Sequence, residues 1–275
     1  MMKILVATGG APHSEKALQF TAELVQKTAG TVTIVAVVKQ ERLRPQGETI
    51  LTRALTILPP HIYQTQTRLR VGHPAEEIIR EAEQGQYTLV VVGEREQHDL
   101  VTRFILGSTA ERVVAHAPCP VLIAKGRVGP LHHLLLCDSG VSDPSLLTRL
   151  IRQVPPLLRQ EEKVTVLHVM SQIGAAPGIP DSQLRATAEE LIKDRAPEGE
   201  LLERDLAILH KHNITCRPKV RHGLVVDEIV AEAQTGEYDL LVIGAHRDEG
   251  WQSLLLDDLS HQIITHVNRP ILVVR

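Results

Sequence analysis

Apolar and polar positions alternate in a regular order through the first 125 residues of the chain. Five short segments, most of them apolar runs, predict β-strands at 3–8, 31–38, 65–71, 88–93 and 120–124. Four amphipathic stretches predict helices between them, at about 13–29, 48–58, 74–85 and 107–117. The last two runs are almost uninterrupted apolar segments, as in parallel strands that helices cover on both faces. Strands that alternate with helices in this way predict an open, doubly wound α/β sheet of five strands.

The second part of the chain repeats this pattern. GHPAEEIIREAEQGQY, which ends at Tyr87, aligns with GLVVDEIVAEAQTGEY, which ends at Tyr238. Each segment is followed by an apolar run that ends in a glycine, at Gly93 in the first copy and Gly244 in the second. Self-similarity of this kind predicts two copies of one structural unit.

The spacing between matched segments sets the domain boundaries. We expect one domain at 1–125 and a second at 130–275, joined by the short, turn-rich linker KGRVGP. The spacing grows along the chain, so an insertion is expected in the second copy near 171–200. A linker this short predicts that the two domains pack together.

Composition narrows the class of protein. The chain has 275 residues, of which 43% are hydrophobic and 23% charged, as in globular proteins. A net charge of −3 and an aromatic content of 2% give no basis for binding nucleic acid. No apolar run approaches the roughly 20 residues that cross a bilayer, and no signal-peptide pattern is present, so we expect a cytoplasmic protein without membrane contact. The cysteines and histidines show no metal-ligand spacing, so no metal site is expected.

The segments KILVATGG, VTIVAVV, VGHPAEEI, YTLVVVG and GSTAERVVAHAPCPVLI of the first copy together resemble a universal stress protein domain. The second copy resembles the same domain through LLLCDSG, VTVLHVM, HGLVVDEI, YDLLVIG and HVNRPILVV. The resemblance spans nearly the whole chain. It implies two tandem doubly wound open parallel five-stranded sheets with helices on both faces, as in the adenine nucleotide alpha hydrolase-like fold.

The resemblance also bears on assembly. The apolar ends at 121–124 and 271–274 resemble the last strands through which this family forms dimers. In a tandem chain these strands can pair the two copies with each other as a pseudo-dimer, or each can be an ordinary covered core strand. Whether the tandem chain also forms a homodimer is left open.

The family divides into nucleotide binders and non-binders. The binders carry glycine, two residues, glycine, nine residues, and then glycine with Ser or Thr. They also carry an aspartate at the end of the first strand, which holds the ribose and adenine side. The resemblance therefore implies ATP or AMP as the ligand, with the role of Mg²⁺ left open.

The first copy keeps the phosphate end of this signature. Gly93 matches the first glycine, and Gly107 matches the last one but comes one residue late. Glu96 replaces the middle glycine, and Arg95 or Arg103 could offset its charge. Thr8 replaces the aspartate, and a neutral hydroxyl accepts weaker hydrogen bonds than a carboxylate does. By family position, the candidate nucleotide-binding residues are Thr8, Gly9, Val38, Gly93, Gly107, Ser108 and Thr109.

The resemblance assigns these residues different roles. Val38 would line the adenine pocket, the two glycines would admit phosphates, and Ser108 and Thr109 would hydrogen-bond them. Ser108 and Glu111 also have the spacing of a capping box, in which Ser108 accepts from the Glu111 N–H. Capping alone and capping with a phosphate contact both remain open.

The second copy keeps the opposite end of the signature. Asp138 stands at the end of its first strand, and Gly244 matches the first loop glycine. Arg247 occupies the second glycine position, and Asp257 and Asp258 replace the Gly-Ser pair. Carboxylates at a helix N-terminus satisfy the helix dipole and repel a polyphosphate. We therefore interpret Asp138 and Gly244 as what remains of a nucleotide site.

Two function hypotheses follow from the resemblance. In the first, the chain is a stress-response regulatory protein whose first domain binds an adenine nucleotide weakly or in an altered mode. In the second, it is a scaffold that binds no nucleotide and acts through protein–protein contacts. No nucleophile motif or metal-holding carboxylate is apparent, so we expect no catalysis beyond slow ATP hydrolysis at most.

Overall fold

The computed structural model of the protein describes residues 2–28, 30–59, 65–94, 107–140, 143–158, 163–171, 186–245 and 258–275. Within these ranges the chain forms a mixed α/β structure with one large, mostly parallel sheet, which confirms the predicted fold class. No helix in the described ranges combines the length and apolar character needed to cross a membrane.

The first half of the chain alternates strands and helices. Its strands are β1 (Lys3–Thr8), β2 (Thr31–Val38), β3 (Thr65–Val71), β4 (Leu89–Gly93) and β5 (Val121–Ala124). Its helices are α1 (Pro12–Thr28), α2 (Arg44–Ile57), α3 (Pro74–Gly85) and α4 (Ser108–His116). Prolines occupy the first turns of α1, α2 and α3, where the N–H that proline lacks has no intrahelical partner. Helix α2 begins earlier than predicted because Pro45 starts it after the 3₁₀ turn Glu41–Leu43.

The second half repeats this order. Its strands are β6 (His133–Cys137), β7 (Lys163–Met170), β8 (Thr215–His222), β9 (Leu240–Gly244) and β10 (Ile271–Val274). Its helices are α5 (Leu146–Gln153), α6 (Ala188–Lys193), α7 (Pro197–Lys211), α8 (Val225–Thr235) and α9 (Asp258–His266). Helix α6 lies in the stretch where the insertion is expected, and residues 172–185 of that stretch are outside the described residues.

The ten strands of the described ranges form one sheet in the order β3-β2-β1-β4-β5-β10-β9-β6-β7-β8. Neighbouring strands are parallel within each half, whereas β5 and β10 are antiparallel, with Leu122 opposite Leu272. The two predicted five-stranded sheets are thus joined edge to edge, which confirms the predicted pairing of the last strands. The strand order reverses between β1 and β4 and again between β6 and β9, and ligands of such sheets bind beyond the carboxyl ends of the strands at these points.

The residue that follows the last strand of each half reaches the last helix of the other half. Lys125, after β5, donates from Nζ to the Ile264 carbonyl of α9. Arg275, after β10, donates to the Val114 and Ala117 carbonyls at the end of α4. Cations are favourable at the carboxyl-terminal ends of helices, where carbonyl groups lack helical partners. The junction therefore combines strand pairing with reciprocal helix capping.

Apolar side chains cover both faces of the sheet. One core cluster contains Val6 of β1 and Val242 of β9, and it extends through α1, α2, α5 and α7. The other contains Leu5 and Ile243 and extends through α3, α4, α8 and α9. Successive residues of a strand point to opposite faces, so the eight inner strands contribute to both clusters. Because each cluster includes residues of both halves, the cores continue across the junction.

Candidate functional site

The first-half corner, at the carboxyl ends of β1 and β4, holds Thr8 and Gly93. The parallel register that pairs Val6 with Val91 brings these two residues side by side. Thr8 is buried, and its hydroxyl donates to Ser14 Oγ over 3.3 Å and accepts from the Gly10 N–H over 3.2 Å. Ser14 Oγ in turn accepts from the Gly9 N–H and donates to the Ala11 carbonyl. Polar groups of the strand-to-helix turn therefore satisfy one another.

Backbone packing brings the beginning of α1 against Gly93. A Cβ at this position would overlap the carbonyl group of His13. Glu94 follows Gly93, and its carboxylate lies 3.2 Å from the buried Lys125 ammonium. Burial lowers the pKa of Lys125, and the charge of Glu94 partly opposes that shift. Glu94, the first residue of the loop after β4, is therefore part of the contact between the two halves.

The other predicted first-half residues lie at the same end of the sheet. Val38 ends β2, where it is buried and faces Gly47 of α2. Gly107 is the N-cap residue of α4 in an extended conformation, and Ser108 and Thr109 form the first turn of that helix. Arg95, Glu96 and Arg103 lie outside the described residues.

The predicted capping box at Ser108 is wrong. Ser108 is the first residue inside α4, and Gly107 occupies the N-cap position without a side-chain hydrogen bond. The Glu111 N–H instead donates to the Gly107 carbonyl over 3.0 Å. The Ser108 side chain is exposed. Its hydroxyl therefore does not act as the cap that its spacing to Glu111 indicates.

The second-half corner contains a cavity of about 340 Å³ at the carboxyl ends of β6, β7 and β9. Small-molecule sites are typically concave, mostly apolar and of this size or larger. The register that pairs Cys137 with Ile243 brings Asp138 beside Gly244, so both remaining signature residues border the cavity. Its apolar walls include Leu146, Leu167, Val169, Val225, Ile229 and Ile263.

The polar side chains that border this apolar space are those of Asp138, Ser139, Arg149, His168 and Ser260. Asp138 is only 3% exposed, and its Oδ1 accepts from the Gly140 N–H over 2.8 Å. Asp138 Oδ2 and Arg149 Nε are buried and have no hydrogen-bond partner among the described residues. His168 Nδ1 lies 3.2 Å from the Asp138 carbonyl oxygen. A buried polar atom without a partner costs about 1–3 kcal/mol, so these groups indicate a binding site for a polar ligand.

A second buried carboxyl group lies behind Asp138. Asp205 of α7 is fully buried, and Arg204 Nη2 lies 3.0 Å from its Oδ1 and 3.6 Å from Asp138 Oδ2. Burial, followed by the negative charge of Asp138, raises the pKa of Asp205 to about 7. Asp205 lies on the buried face of α7, between Leu202 and Leu209. An acidic residue in an otherwise apolar helical stripe is unusual, and this feature of the sequence could have identified Asp205.

The start of the following helix explains why the two corners differ. Helix α1 begins at Pro12, four residues after Thr8, whereas α5 begins at Leu146, eight residues after Asp138. In the second half Gly244 therefore faces the end of the Arg149 side chain, and a Cβ there would lie 2.9 Å from Arg149 Nη2. Of the other residues discussed, Asp258 begins α9, while Arg247 and Asp257 lie outside the described residues.

Sequence comparison identifies the class to which this α/β protein belongs. A model of the universal stress protein family matches the chain twice, at residues 1–125 and 136–275. The chain therefore belongs to the universal stress protein family, and it carries two such domains in tandem.

Individual relatives support this assignment. Universal stress protein MJ0531 of Methanocaldococcus jannaschii is 28% identical over 139 residues, which are 45% of this chain and 81% of that protein. Universal stress protein Slr1230 of Synechocystis is 30% identical over 120 residues, which are 44% of this chain and 41% of that protein. The crystal structure of a universal stress protein from Archaeoglobus fulgidus has a TM-score of 0.70 at 17% identity and covers 99% of this chain and 96% of its own. The fold of both halves is therefore shared with a solved member of the family.

Proposed function

We propose that this stress-response protein of the universal stress protein family is a regulator whose second-half cavity binds the nucleoside part of an adenine nucleotide. The observation that carries the proposal is the buried pair Asp138 Oδ2 and Arg149 Nε beside an apolar cavity at the strand-order reversal. Neither atom has a hydrogen-bond partner within the described residues. A nucleoside offers hydroxyl groups that both donate and accept, together with an apolar ring face.

The chemistry of the cavity favours a neutral nucleoside over a polyphosphate. The Asp138 carboxylate accepts hydrogen bonds from ribose hydroxyls, and charge-assisted bonds of this kind are stronger than neutral ones. Arg149 supplies a donor, and the walls formed by Val169, Val225 and Ile229 suit a flat apolar ring. In the sequence, Asp257 and Asp258 stand where the first half has Gly107 and Ser108, and acidic residues at the N-terminus of a helix disfavour phosphate. We therefore expect adenosine to bind more tightly than ATP.

The first half is the subject of a separate hypothesis. Binding of ATP or AMP at Thr8, Gly93 and the start of α4 remains a prediction from the sequence, as does the cytoplasmic location. The hydrogen bonds between Thr8 and Ser14 and the close packing of Gly93 favour the second hypothesis for this half, a scaffold role through protein contacts. Titration with ATP distinguishes nucleotide binding from a scaffold role in the first half. If phosphate contacts Ser108, a Ser108→Asp variant should bind ATP more weakly than the unmodified chain.

Isothermal titration of the full chain with adenosine, AMP and ATP, each with and without Mg²⁺, tests the proposal. We expect heat from adenosine at about 100 µM protein. A dissociation constant of that size corresponds to roughly 5.5 kcal/mol of binding free energy. Val225→Trp places a bulky ring in the cavity wall and should abolish this heat. Leu224→Trp is the matched control, because Leu224 is the preceding residue, is 52% exposed and is not part of the cavity wall. Equal binding by both variants, or no adenosine heat in the unmodified chain, contradicts the proposal.

A further inference from the structure

The buried carboxyl groups of Asp138 and Asp205 point to a property beyond ligand contact. We propose that the two groups share one proton near neutral pH, and that protonated Asp205 is a positioning residue that holds Asp138 in the orientation the ligand requires. The effect on binding rests on the function proposed above, whereas the shared proton does not. If the proton is shared in this way, the affinity of the cavity for its ligand falls as the pH rises through neutrality.

The hydrogen-bond inventory of the two carboxyl groups carries this inference. The Oδ1 atom of Asp138 accepts from Gly140, and the Oδ1 atom of Asp205 accepts from Arg204 Nε and Nη2. Both Oδ2 atoms are buried and lack a donor among the described residues. Arg204 Nη2 lies 3.0 Å from Asp205 Oδ1 and 3.6 Å from Asp138 Oδ2, so the two carboxyl groups are neighbours. One proton on Asp205 that is donated to Asp138 Oδ2 gives both orphaned atoms a hydrogen-bond partner, and the remaining lone pair of Asp138 Oδ2 can still accept from a ligand.

Among the described residues, three basic side chains approach the pair. Arg204 contacts both carboxyl groups from the exposed side of α7, and Arg149 and His168 approach Asp138 from the cavity. The elements packed against α7 present side chains of the apolar core, namely Ile192 of α6, Val166 of β7, and Cys216 and Val220 of β8. Burial raises the pKa of the Cys216 thiol, so it stays neutral. Full ionisation would therefore place two negative charges in a largely apolar setting.

The first half provides an internal comparison that lacks the pair. Its turn glycine, Gly10, faces Ile50 of α2, and the equivalent Gly140 faces Leu201 of α7. Four residues further along each helix stand Ala54 and Asp205. Thr8 likewise stands where the second half has Asp138. The repeat thus shows that the fold needs no carboxyl group at either position, which favours a role for the pair in the site.

The sign of the pH effect follows from the direction of the pKa shift. The pKa of Asp205 is about 7 in the folded protein, whereas the ordinary pKa of an aspartate, which applies to the unfolded chain, is 3.8. The free energy of unfolding that this group contributes therefore falls as the pH rises between these two values and is constant above them. Above neutrality the proton is lost, the carboxylates repel each other, and Asp138 is no longer held.

Two variants separate positioning from simple packing. In Asp205→Asn, the amide oxygen can still accept from Arg204 while the amide N–H donates to Asp138 at every pH. In Asp205→Ala, the position becomes identical to Ala54 of the first half, and the donor to Asp138 is lost at every pH. The asparagine variant should therefore keep the hydrogen bond to Asp138 that the alanine variant lacks.

The shared proton is tested without a ligand. We expect the ¹³Cγ resonance of Asp205 in the full chain to titrate near neutral pH. In urea unfolding between about pH 5 and about pH 7.5, the unmodified chain should lose stability relative to Asp205→Asn as the pH rises. An Asp205 resonance that titrates below about pH 5, or parallel stability curves for the two proteins, overturns the inference even where adenosine binds.

The positioning role is tested by titration with adenosine over the same pH range. Affinity of the unmodified chain should fall at least about threefold from pH 6 to pH 8, that of Asp205→Asn should stay constant, and that of Asp205→Ala should be low throughout. If affinity is independent of pH in the unmodified chain, the positioning role is wrong. If adenosine does not bind at all, the proposed function fails, and the resonance and urea measurements still decide whether the proton is shared.

Discussion

The first-half and second-half corners occupy equivalent places in one sheet and differ in how their polar groups are satisfied. In the first, Thr8 bonds to Ser14 and Gly10, and Glu94 pairs with Lys125. In the second, Asp138 and Arg149 each keep a buried atom without a hydrogen-bond partner among the described residues. Duplication of a fold therefore does not duplicate a site. Among the described residues, a few side chains and the starting point of one helix distinguish the two corners.

This difference predicts that one corner contributes mainly to folding stability and the other mainly to ligand binding. A corner whose polar groups bond to one another contributes to folding, whereas a corner with orphaned groups gives up stability and retains the capacity to bind. Changes in the first-half corner should therefore lower the free energy of unfolding. Changes in the second-half corner should mainly alter ligand affinity. Four substitutions test this division.

The largest expected effect is at the junction beside the first-half corner. Lys125→Met leaves the carboxylate of Glu94 without this buried cation and the Ile264 carbonyl without its donor, so we expect a loss of about 3 kcal/mol in the free energy of unfolding. Urea denaturation followed by circular dichroism measures it. Arg275→Met removes the reciprocal cap on α4 and should cost only about 1 kcal/mol. Equal losses in the two variants would mean that capping, and not the ion pair, dominates at Lys125.

A comparison of the two loop glycines comes next. In Gly93→Ala the new methyl group meets the His13 backbone, which cannot move aside, so we expect a loss of roughly 2 kcal/mol in stability. In Gly244→Ala it meets the end of the flexible Arg149 side chain, and the loss should stay below about 1 kcal/mol. Thermal unfolding of the two variants in parallel measures the difference. A larger loss for Gly244→Ala would reverse the assignment of closed and open corners.

The third substitution concerns ligand affinity. Asp138→Ala removes the carboxylate that borders the cavity, and loss of a charge-assisted hydrogen bond should weaken adenosine binding about tenfold or more. Thr8→Ala, the matched change in the first half, should leave adenosine affinity unchanged. Isothermal titration reports both values. An effect of Thr8→Ala as large as that of Asp138→Ala would place the nucleoside in the first half.

The smallest expected effect is on the hydrogen bonds of the first-half turn. Thr8→Val keeps the side-chain shape but removes the hydroxyl that bonds to Ser14 and Gly10, so we expect a loss of about 1 kcal/mol in the free energy of unfolding. Thr52→Val is a suitable control, because the Thr52 hydroxyl bonds to the Glu48 carbonyl on the exposed surface of α2. If Thr8→Val is as stable as this control, the hydrogen bonds of Thr8 to Ser14 and Gly10 contribute nothing to the free energy of unfolding.

The sequence predicted the architecture more fully than the site. Strands and helices were predictable because their apolar periodicities are local, and the repeat indicated the two halves. The family resemblance offered the pairing through 121–124 and 271–274 as one of two alternatives. The cavity was not predictable in this way, because it depends on where α5 begins relative to Asp138 and on how deeply Arg149 packs. The Ser108–Glu111 spacing indicated a cap that the backbone at Gly107 replaces. Asp205 was missed because its partner Asp138 lies far away in the chain.

The antiparallel contact between β5 and β10 sets the direction in which each corner opens. Because the strands of the two halves run in opposite senses on either side of that contact, their carboxyl ends point to opposite edges of the sheet. The phosphate end kept by the first half and the aspartate kept by the second therefore cannot meet around one nucleotide. Each chain therefore carries its two corners on opposite edges of one sheet, where they are reached from different directions. A molecule bound at Asp138 leaves the opposite edge of the same chain free for a different contact.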